Sequence, residues 1–455
     1  MTNLTLLLLT GLVAFVLLRN VYRRIIRRNR ARRNGCVAPP RYHHKDPIFG
    51  FDLFVKYMDA LKAENFLDFN KQMFDKFGKT FETNVLGTRT YRTIDPEVNK
   101  AVFITYATRF GLQPLRYEVA KHLWGNGIIV VDGEHWKHGR ALMRGSFEVV
   151  HLANFDRLRA HVDVFINLLP KDGSTVDLMP LFQRLILDTS SEFIFGEAMS
   201  ALEDPSFSTG FTEAFAYAQK GTAIQSMLKK LKVLHRDEKW WQACKTITDY
   251  ADRHVEKALQ RLSERESSEK IDSDSKLQSR LRLVDEMAKD TQDRLTLHSH
   301  IISVFSPAHD GATITLTNAM FHIARHPARQ CLKTTILPCG GGVDGKSPLY
   351  VEKGDNLEFN YRTMMRDKTF WGEDADDFVP ERWERIRPTW EYTPFGGGPR
   401  ICPGQRLVFT ETVYVLVTLL RSFEKVENRD PVWEWKEEMR MTFQSKNGCL
   451  VGLIA

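Results

Sequence analysis

Near its C-terminus the chain reads Phe395-Gly-Gly-Gly398-Pro-Arg400-Ile-Cys402-Pro-Gly404, and any fold it adopts must accommodate one cysteine set among glycines, prolines and an arginine. With this chain's own residue frequencies, the spaced set F-x-x-G-x-R-x-C-x-G arises by chance on the order of once in ten thousand chains of this length. The residues suit a thiolate that ligates a metal. A thiolate in open water is protonated or oxidised, so it needs a sheltered loop with backbone N–H groups turned toward sulfur. Gly398 and Gly404 allow a tight turn and the close approach of a flat ligand without a clashing Cβ. Phe395 can shield the sulfur, and Arg400 can pair with an anionic substituent of that ligand. From Gln405 to Leu420 the sequence is largely apolar and free of Pro and Gly, which predicts a buried helix whose N-terminus helps keep the sulfur anionic. A lone cysteine is more often a small buried hydrophobe, but five matching positions favour ligation.

Two further segments, Trp136-Lys-His-Gly-Arg140 and Phe378-Val-Pro-Glu-Arg382-Trp383, stand ahead of Cys402 in the same chain. In this order the three segments resemble the haem-thiolate monooxygenases called cytochromes P450. The resemblance implies a mainly α fold with a small β-sheet and haem b with its iron on Cys402. It further implies haem propionates held by Trp136, Arg140 and Arg400, with Phe395, Gly398 and Gly404 shaping the ligand loop and Arg382 steadying it. The stretches Leu86–Pro96, Gly127–Gly133 and Asp172–Leu178 through Phe195-Gly196 are most similar to the fungal n-alkane and fatty-acid terminal hydroxylases. That likeness covers nearly everything after Pro40 and implies a long aliphatic substrate.

The chain also departs from the family pattern. A helical pattern from about Leu295 to Arg325 contains Phe305-Ser-Pro307-Ala308-His-Asp310-Gly311-Ala-Thr313, in the place of the family's oxygen-activating helix. Counted back from Arg325-His326-Pro327, Ala308 and Asp310 fall on the expected small residue and acid, but Gly311 sits where the alcohol belongs. Thr313 is two places later, a rotation of roughly 200° around the helix. Asp310 and Thr313 are the candidate catalytic residues, and Pro307 with Gly311 predicts a local opening of the helix. Arg325-His326-Pro327 then runs within a few residues into Cys331-Leu-Lys-Thr-Thr-Ile-Leu-Pro338, so the segment holding the family's Glu-x-x-Arg helix is missing and the fold is expected to be incomplete. Arg382 would lose a buried carboxylate partner, a break that typically costs about 3 to 5 kcal/mol.

A rival enzyme class rests on Gly340-Gly-Gly-Val-Asp-Gly345-Lys346-Ser347, which fits the phosphate-loop pattern G-x-x-x-x-G-K-[ST], with Ile128-Ile-Val-Val-Asp132 as the run that would hold magnesium. The pattern has a chance rate of about one in a hundred here. A phosphate loop must open a helix, whereas Pro348–Gly354 reads as a short strand ending in a turn. Leu337 to Asp355 is therefore predicted to be a β-hairpin with a glycine-rich tip.

At the other end, Leu4 to Leu18 is almost entirely apolar and is followed by eight arginines between Arg19 and Arg33. Apolar first and basic second is the order of a signal anchor, and the positive-inside rule keeps the arginines and the rest of the chain in the cytosol. The expected organisation is a single transmembrane anchor over residues 1–20, a basic linker with a stiff Ala38-Pro39-Pro40 hinge over 21–45, and a haem domain over 46–455, at the endoplasmic reticulum membrane. A basic arm for nucleic acid explains the arginines but not the leucines. Setting those eight charges aside takes the formal +7 to about −1, so the body is not a basic, nucleic-acid-binding protein. Six cysteines without C-x-x-C spacing indicate neither a zinc site nor a disulfide framework. Ser263 to Ser279 reads as a solvated loop, and strand signals lie near Lys79–Ile94 and Leu332–Leu357. The chain has no flavin or nicotinamide fingerprint, so the resemblance implies a separate NADPH–cytochrome reductase. The alternative to a working monooxygenase is an inactive, membrane-anchored remnant of one.

Overall fold

The computed structural model describes residues 2–46, 48–152, 155–228, 232, 236–267, 282–319, 328–432, 435–439 and 442–455. Its longer helices are α1 (Thr2–Arg33), α2 (Phe51–Lys62), α3 (Phe66–Phe77), α4 (Gln113–Trp124), α5 (Gly133–Leu152), α6 (Phe155–Leu168), α7 (Leu178–Phe195), α8 (Pro205–Leu228), α9 (Glu238–Ser267), α10 (Leu283–Asp290), α11 (Arg294–Ala319) and α12 (Gln405–Ser422). The strands are β1 (Thr80–Val85), β2 (Thr88–Thr93), β3 (Phe110–Gly111), β4 (Asp172–Asp177), β5 (Ala328–Cys331), β6 (Thr335–Gly341), β7 (Ser347–Val351), β8 (Asn356–Phe359), β9 (Lys425–Asn428), β10 (Glu437–Met439), β11 (Phe443–Ser445) and β12 (Leu450–Ile454). Helices dominate and the sheets are small, in line with the expected class. The chain divides into two units.

The first unit comprises Met1–Asp52, Asn70–Phe110 and Gln330–Tyr392 and carries a sheet of order β1-β2-β8-β5-β3. Val85 pairs with Thr88, so Leu86-Gly87 is a two-residue hairpin turn with φ of 50° and 70°. Positive φ at both positions is the turn whose twist matches its strands. β6 and β7 form the predicted hairpin, Thr335 opposite Val351 and Gly341 opposite Ser347. A Cβ on Gly341 would lie 2.4 Å from the Val37 carbonyl oxygen, so this glycine lets two backbones meet. The nucleotide-hydrolase alternative fails here, because Ser347 opens a strand rather than the helix a phosphate loop requires.

The Ala38-Pro39-Pro40 segment, expected as a stiff hinge between anchor and body, is laced to strands on both sides. Val37 N–H donates to Pro348 C=O, Gly342 N–H to Ala38 C=O, Glu82 N–H to Pro40 C=O and Tyr42 N–H to Glu82 C=O. Nor does α1 end at residue 20; it continues through the arginines to Arg33. Arg27 packs its guanidinium, 13% exposed, against Asp355 and Glu352 and donates to the Tyr91 hydroxyl at 3.0 Å. Among the described residues no helix is long and apolar enough to cross a membrane, so the spanning anchor expected from Leu4–Leu18 finds no support there.

Arg382 corrects another expectation. It is 9% exposed, yet its guanidinium is not left unpaired. Nη1 donates to the Trp371 carbonyl and to Asp374 Oδ1, the latter at 2.8 Å, and Nη2 donates to the Asp374 carbonyl at 2.7 Å. Asp374 supplies the carboxylate expected to be missing, so the cost of an uncompensated buried cation is avoided.

The second unit comprises Leu53–Phe69, Gly111–Arg329 and Thr393–Ala455. α11 packs against α7, α9, α4 and α12, and its first half is seated by glycines. A Cβ on Gly139 of α5 would come within 2.2 Å of His300 Cε1. Ile301, Val304 and Phe305 of α11 join Leu187, Ile194 and Phe195 of α7 in one buried cluster. α11 runs through Pro307 as continuous helix rather than opening there; burial on both sides of the proline outweighs the lost hydrogen bond. α9 continues to Ser267, and the rest of the Ser-rich loop lies outside the described residues. So does Arg325-His326-Pro327. Smaller sheets of order β4-β12-β9 and β10-β11 complete the unit.

Candidate active site

The cysteine loop is built from short-range hydrogen bonds. Gly396 and Gly398 have φ of 74° and 62°, and Gly398–Arg400 forms a single 3₁₀ turn closed by Ile401 N–H donating to Gly398 C=O. Cys402 N–H then donates to Phe395 C=O at 3.0 Å. The loop thereby folds back on Phe395, whose ring packs on Phe409 of α12 with centroids 5.1 Å apart. α12 starts at Gln405, with Gly404 as its cap, so Cys402 sits three residues before a long helix as the sequence predicts. Its side chain is half-buried and takes part in no disulfide.

Gly404 behaves differently from Gly398. Its φ is −84°, and no atom lies within 4 Å of where its Cβ would be. No neighbouring group described here requires a glycine at this position, which fits a flat group passing close to the backbone there.

Arg400 reaches back over more than two hundred residues. Its Nη2 donates to Asp132 Oδ1 at 2.6 Å and to the Val131 carbonyl at 3.1 Å, and its guanidinium carbon lies 4.4 Å from the centre of the Trp136 ring. Arg140 stands one turn further along α5 and is half-buried. Burial pulls its pKa down, and the nearby Cys402 sulfur works the other way. Arg116 of α4 belongs to the same neighbourhood. It donates Nη1 to Ile129 C=O at 3.1 Å, with burial and the charge of Arg400 pulling its pKa down and Asp132 raising it. Sequence alone does not mark Arg116 or Asp132 as members of this group. The motif spacing covers Trp136, Arg140 and Arg400, and Asp132 reads only as the magnesium ligand of the rival phosphate-loop pattern.

Arg140 beside the Cys402 sulfur, with Arg400 two residues from it in the loop and Arg116 beside Arg400, fits a dianionic ligand such as haem, whose two propionates need cationic partners. Ala308, Trp136 and Leu407 all pack against one core cluster, and α11 packs against α12. The two candidate catalytic side chains have protein partners of their own. Asp310 accepts from Gln219 Nε2 on α8 and lies 3.5 Å from His309 Nδ1. Thr313 is buried and donates its hydroxyl to the His309 carbonyl at 2.8 Å.

Residues 43–331 and 343–449 match the family model described as Cytochrome P450. Among similar proteins are the cytochrome P450 monooxygenase iccC of Talaromyces variabilis, 34% identical over 92% of this chain and 92% of its own length. The cytochrome P450 monooxygenase apdE of Emericella nidulans is 32% identical over 88% and 85%, and tenA of Beauveria bassiana is 28% identical over 98% and 97%. Their names state monooxygenase activity and no alkane or fatty acid. The alignment with tenA spans 499 positions against 455 residues here, so that relative carries residues with no counterpart in this chain. The match over these two stretches, with Cys402 in the second, shows that the chain belongs to the cytochrome P450 family of haem-thiolate monooxygenases.

Proposed function

We propose that this monooxygenase hydroxylates a hydrophobic long-chain substrate, an n-alkane or fatty acid, with electrons from a separate NADPH–cytochrome reductase. The observation that carries the haem chemistry is the Cys402 loop, whose backbone bonds hold the sulfur in place before α12. The substrate class rests on the resemblance read from Leu86–Pro96, Gly127–Gly133 and Asp172–Gly196 alone; none of the relatives named above carries it in its name. Bound haem supplies the activation of dioxygen, favoured by an electron-rich thiolate. Cys402 would hold the iron, Phe395 would exclude water from the sulfur, and Trp136, Arg140 and Arg400 would balance the propionates, with Gly398 and Gly404 giving room. Asp310, held by Gln219, would store and pass a proton. Thr313 has its hydroxyl turned to its own helix and serves less directly.

A second reading is a catalytically inactive remnant. The observation favouring it is the alignment with tenA, which spans 499 positions against 455 residues here; the short run in sequence from Arg325-His326-Pro327 to Cys331 is where the surplus is expected. One experiment separates the two. The full chain, expressed as it stands, is reduced and its carbon-monoxide difference spectrum recorded, followed by titration with hexadecane and palmitate. The expected result is a Soret band at the thiolate-ligated position and a substrate-induced shift. A band at the protonated-thiol position, or none, would establish the remnant, and a thiolate band without any shift would discard the substrate class.

We also infer attachment to the endoplasmic reticulum membrane through α1, with the body on the cytosolic side. Leu4–Leu18 and the arginines after them support it: apolar surface enters lipid while basic side chains meet anionic headgroups. In a vesicle flotation assay the full chain is expected to rise with phosphatidylserine-containing liposomes and a chain lacking residues 1–33 to stay behind. Equal flotation of both would refute attachment through α1.

A further inference from the structure

Asp132 stands where several parts of the second unit converge. Its carboxylate accepts from Leu112 N–H at 2.9 Å, from Gln113 N–H at 2.8 Å and from Arg400 Nη2 at 2.6 Å. Its own N–H donates to Gln113 Oε1 at 3.0 Å. One side chain thus ties the start of α4, the entry to α5 and the cysteine loop together. Arg400 is left with little freedom. Its Nη2 is held by a carboxylate and a carbonyl, and its flat face lies on Trp136. Planar, charge-assisted bonds of this kind fix a guanidinium's direction as well as its position. α4 in turn carries Arg116, whose guanidinium is tied to Ile129 C=O, three residues before Asp132.

We propose that Asp132 is a positioning residue for haem, its carboxylate holding Arg400 and the first turn of α4 so that Arg400, Trp136 and Arg116 face the propionates as one preset group. The proposal rests on the haem assignment above. Preset cations bind a dianion more tightly, because their ordering is complete before the ligand arrives. A bland alternative exists: Asp132 serves only to cap α4.

Asp132→Asn separates these roles. An asparagine Oδ1 still accepts from the Leu112 and Gln113 amides but carries no charge for Arg400. In the full-length, haem-loaded protein, haem transfer to apomyoglobin is expected to be about tenfold faster in Asp132→Asn. The haem midpoint potential is expected to rise, because a negative charge has been removed nearby; Arg400→Ala should move it down. The double variant is expected to lose haem no faster than Arg400→Ala alone, since Asp132 acts through that arginine. Hydrogen exchange at the Leu112 and Gln113 amides should stay close to wild type. Wild-type haem loss and potential in Asp132→Asn would reduce Asp132 to a cap and overturn the proposal, and additive losses in the double variant would show that it does not act through Arg400. A wild-type chain that takes up no haem would remove the parent assignment and this inference with it; that failure shows in the carbon-monoxide spectrum before any variant is made.

Discussion

Cys402→Ala in the full chain is expected to eliminate the thiolate-type carbon-monoxide band and all hydroxylation while leaving the far-UV circular dichroism unchanged. The loop does not depend on the sulfur for its shape. Its bonds run from Cys402 N–H to Phe395 C=O and from Ile401 N–H to Gly398 C=O, both in the backbone and both available to alanine. Because the side chain is only half-buried, its truncation should cost about 1 kcal/mol or less of stability. Four of the other cysteines are poorly suited to take over. Burial pushes the thiols of Cys244, Cys331, Cys339 and Cys449 up to about 12, which disfavours the thiolate that iron ligation needs. A surviving thiolate band in the variant would mean that another sulfur holds the iron.

The largest stability effect is expected at Glu411. It lies on α12, is 8% exposed, and burial pushes its carboxyl from the usual 4.5 up to about 8. With the folded value above the unfolded one, the folded state keeps a proton that the unfolded state has released. Below about pH 4.5 both states are protonated and there is no penalty. Stability is then lost as pH rises toward 8, by about 4 kcal/mol over the window. Glu411→Gln removes the titration. In urea unfolding, the variant should be no more stable than wild type at pH 5 and clearly more stable at pH 8. An identical difference at the two pH values would show that Glu411 does not titrate in this window.

Features with a local signature were legible in the sequence. The glycine-tipped β6–β7 hairpin and the helix after Cys402 are set by neighbours in sequence, where turn chemistry and apolar runs act directly. What was missed is non-local. Arg400 and Asp132 are 268 positions apart, and no spacing rule links them. Arg382 was expected to be orphaned because its family partner is missing, yet Asp374, eight residues earlier, supplies a carboxylate that no motif marks. Pro39 and Pro40 read as a hinge by composition, but the chain around them pairs with strand edges. Pro307 misled in the same way, since local helix-breaking propensity yielded to the buried packing of α11.

The bond network at Arg27 gives the first unit a mechanical property. α1 is one uninterrupted helix, pinned at Arg27 to Asp355, Glu352 and Tyr91, and at 1.5 Å per residue the pin stands about 14 Å from Leu18. A flexible tether would let the unit swivel beneath whatever holds the apolar end. A pinned rod transmits torque, so a load on the apolar end would turn the strand that carries Tyr91 with it rather than be taken up by slack in the chain.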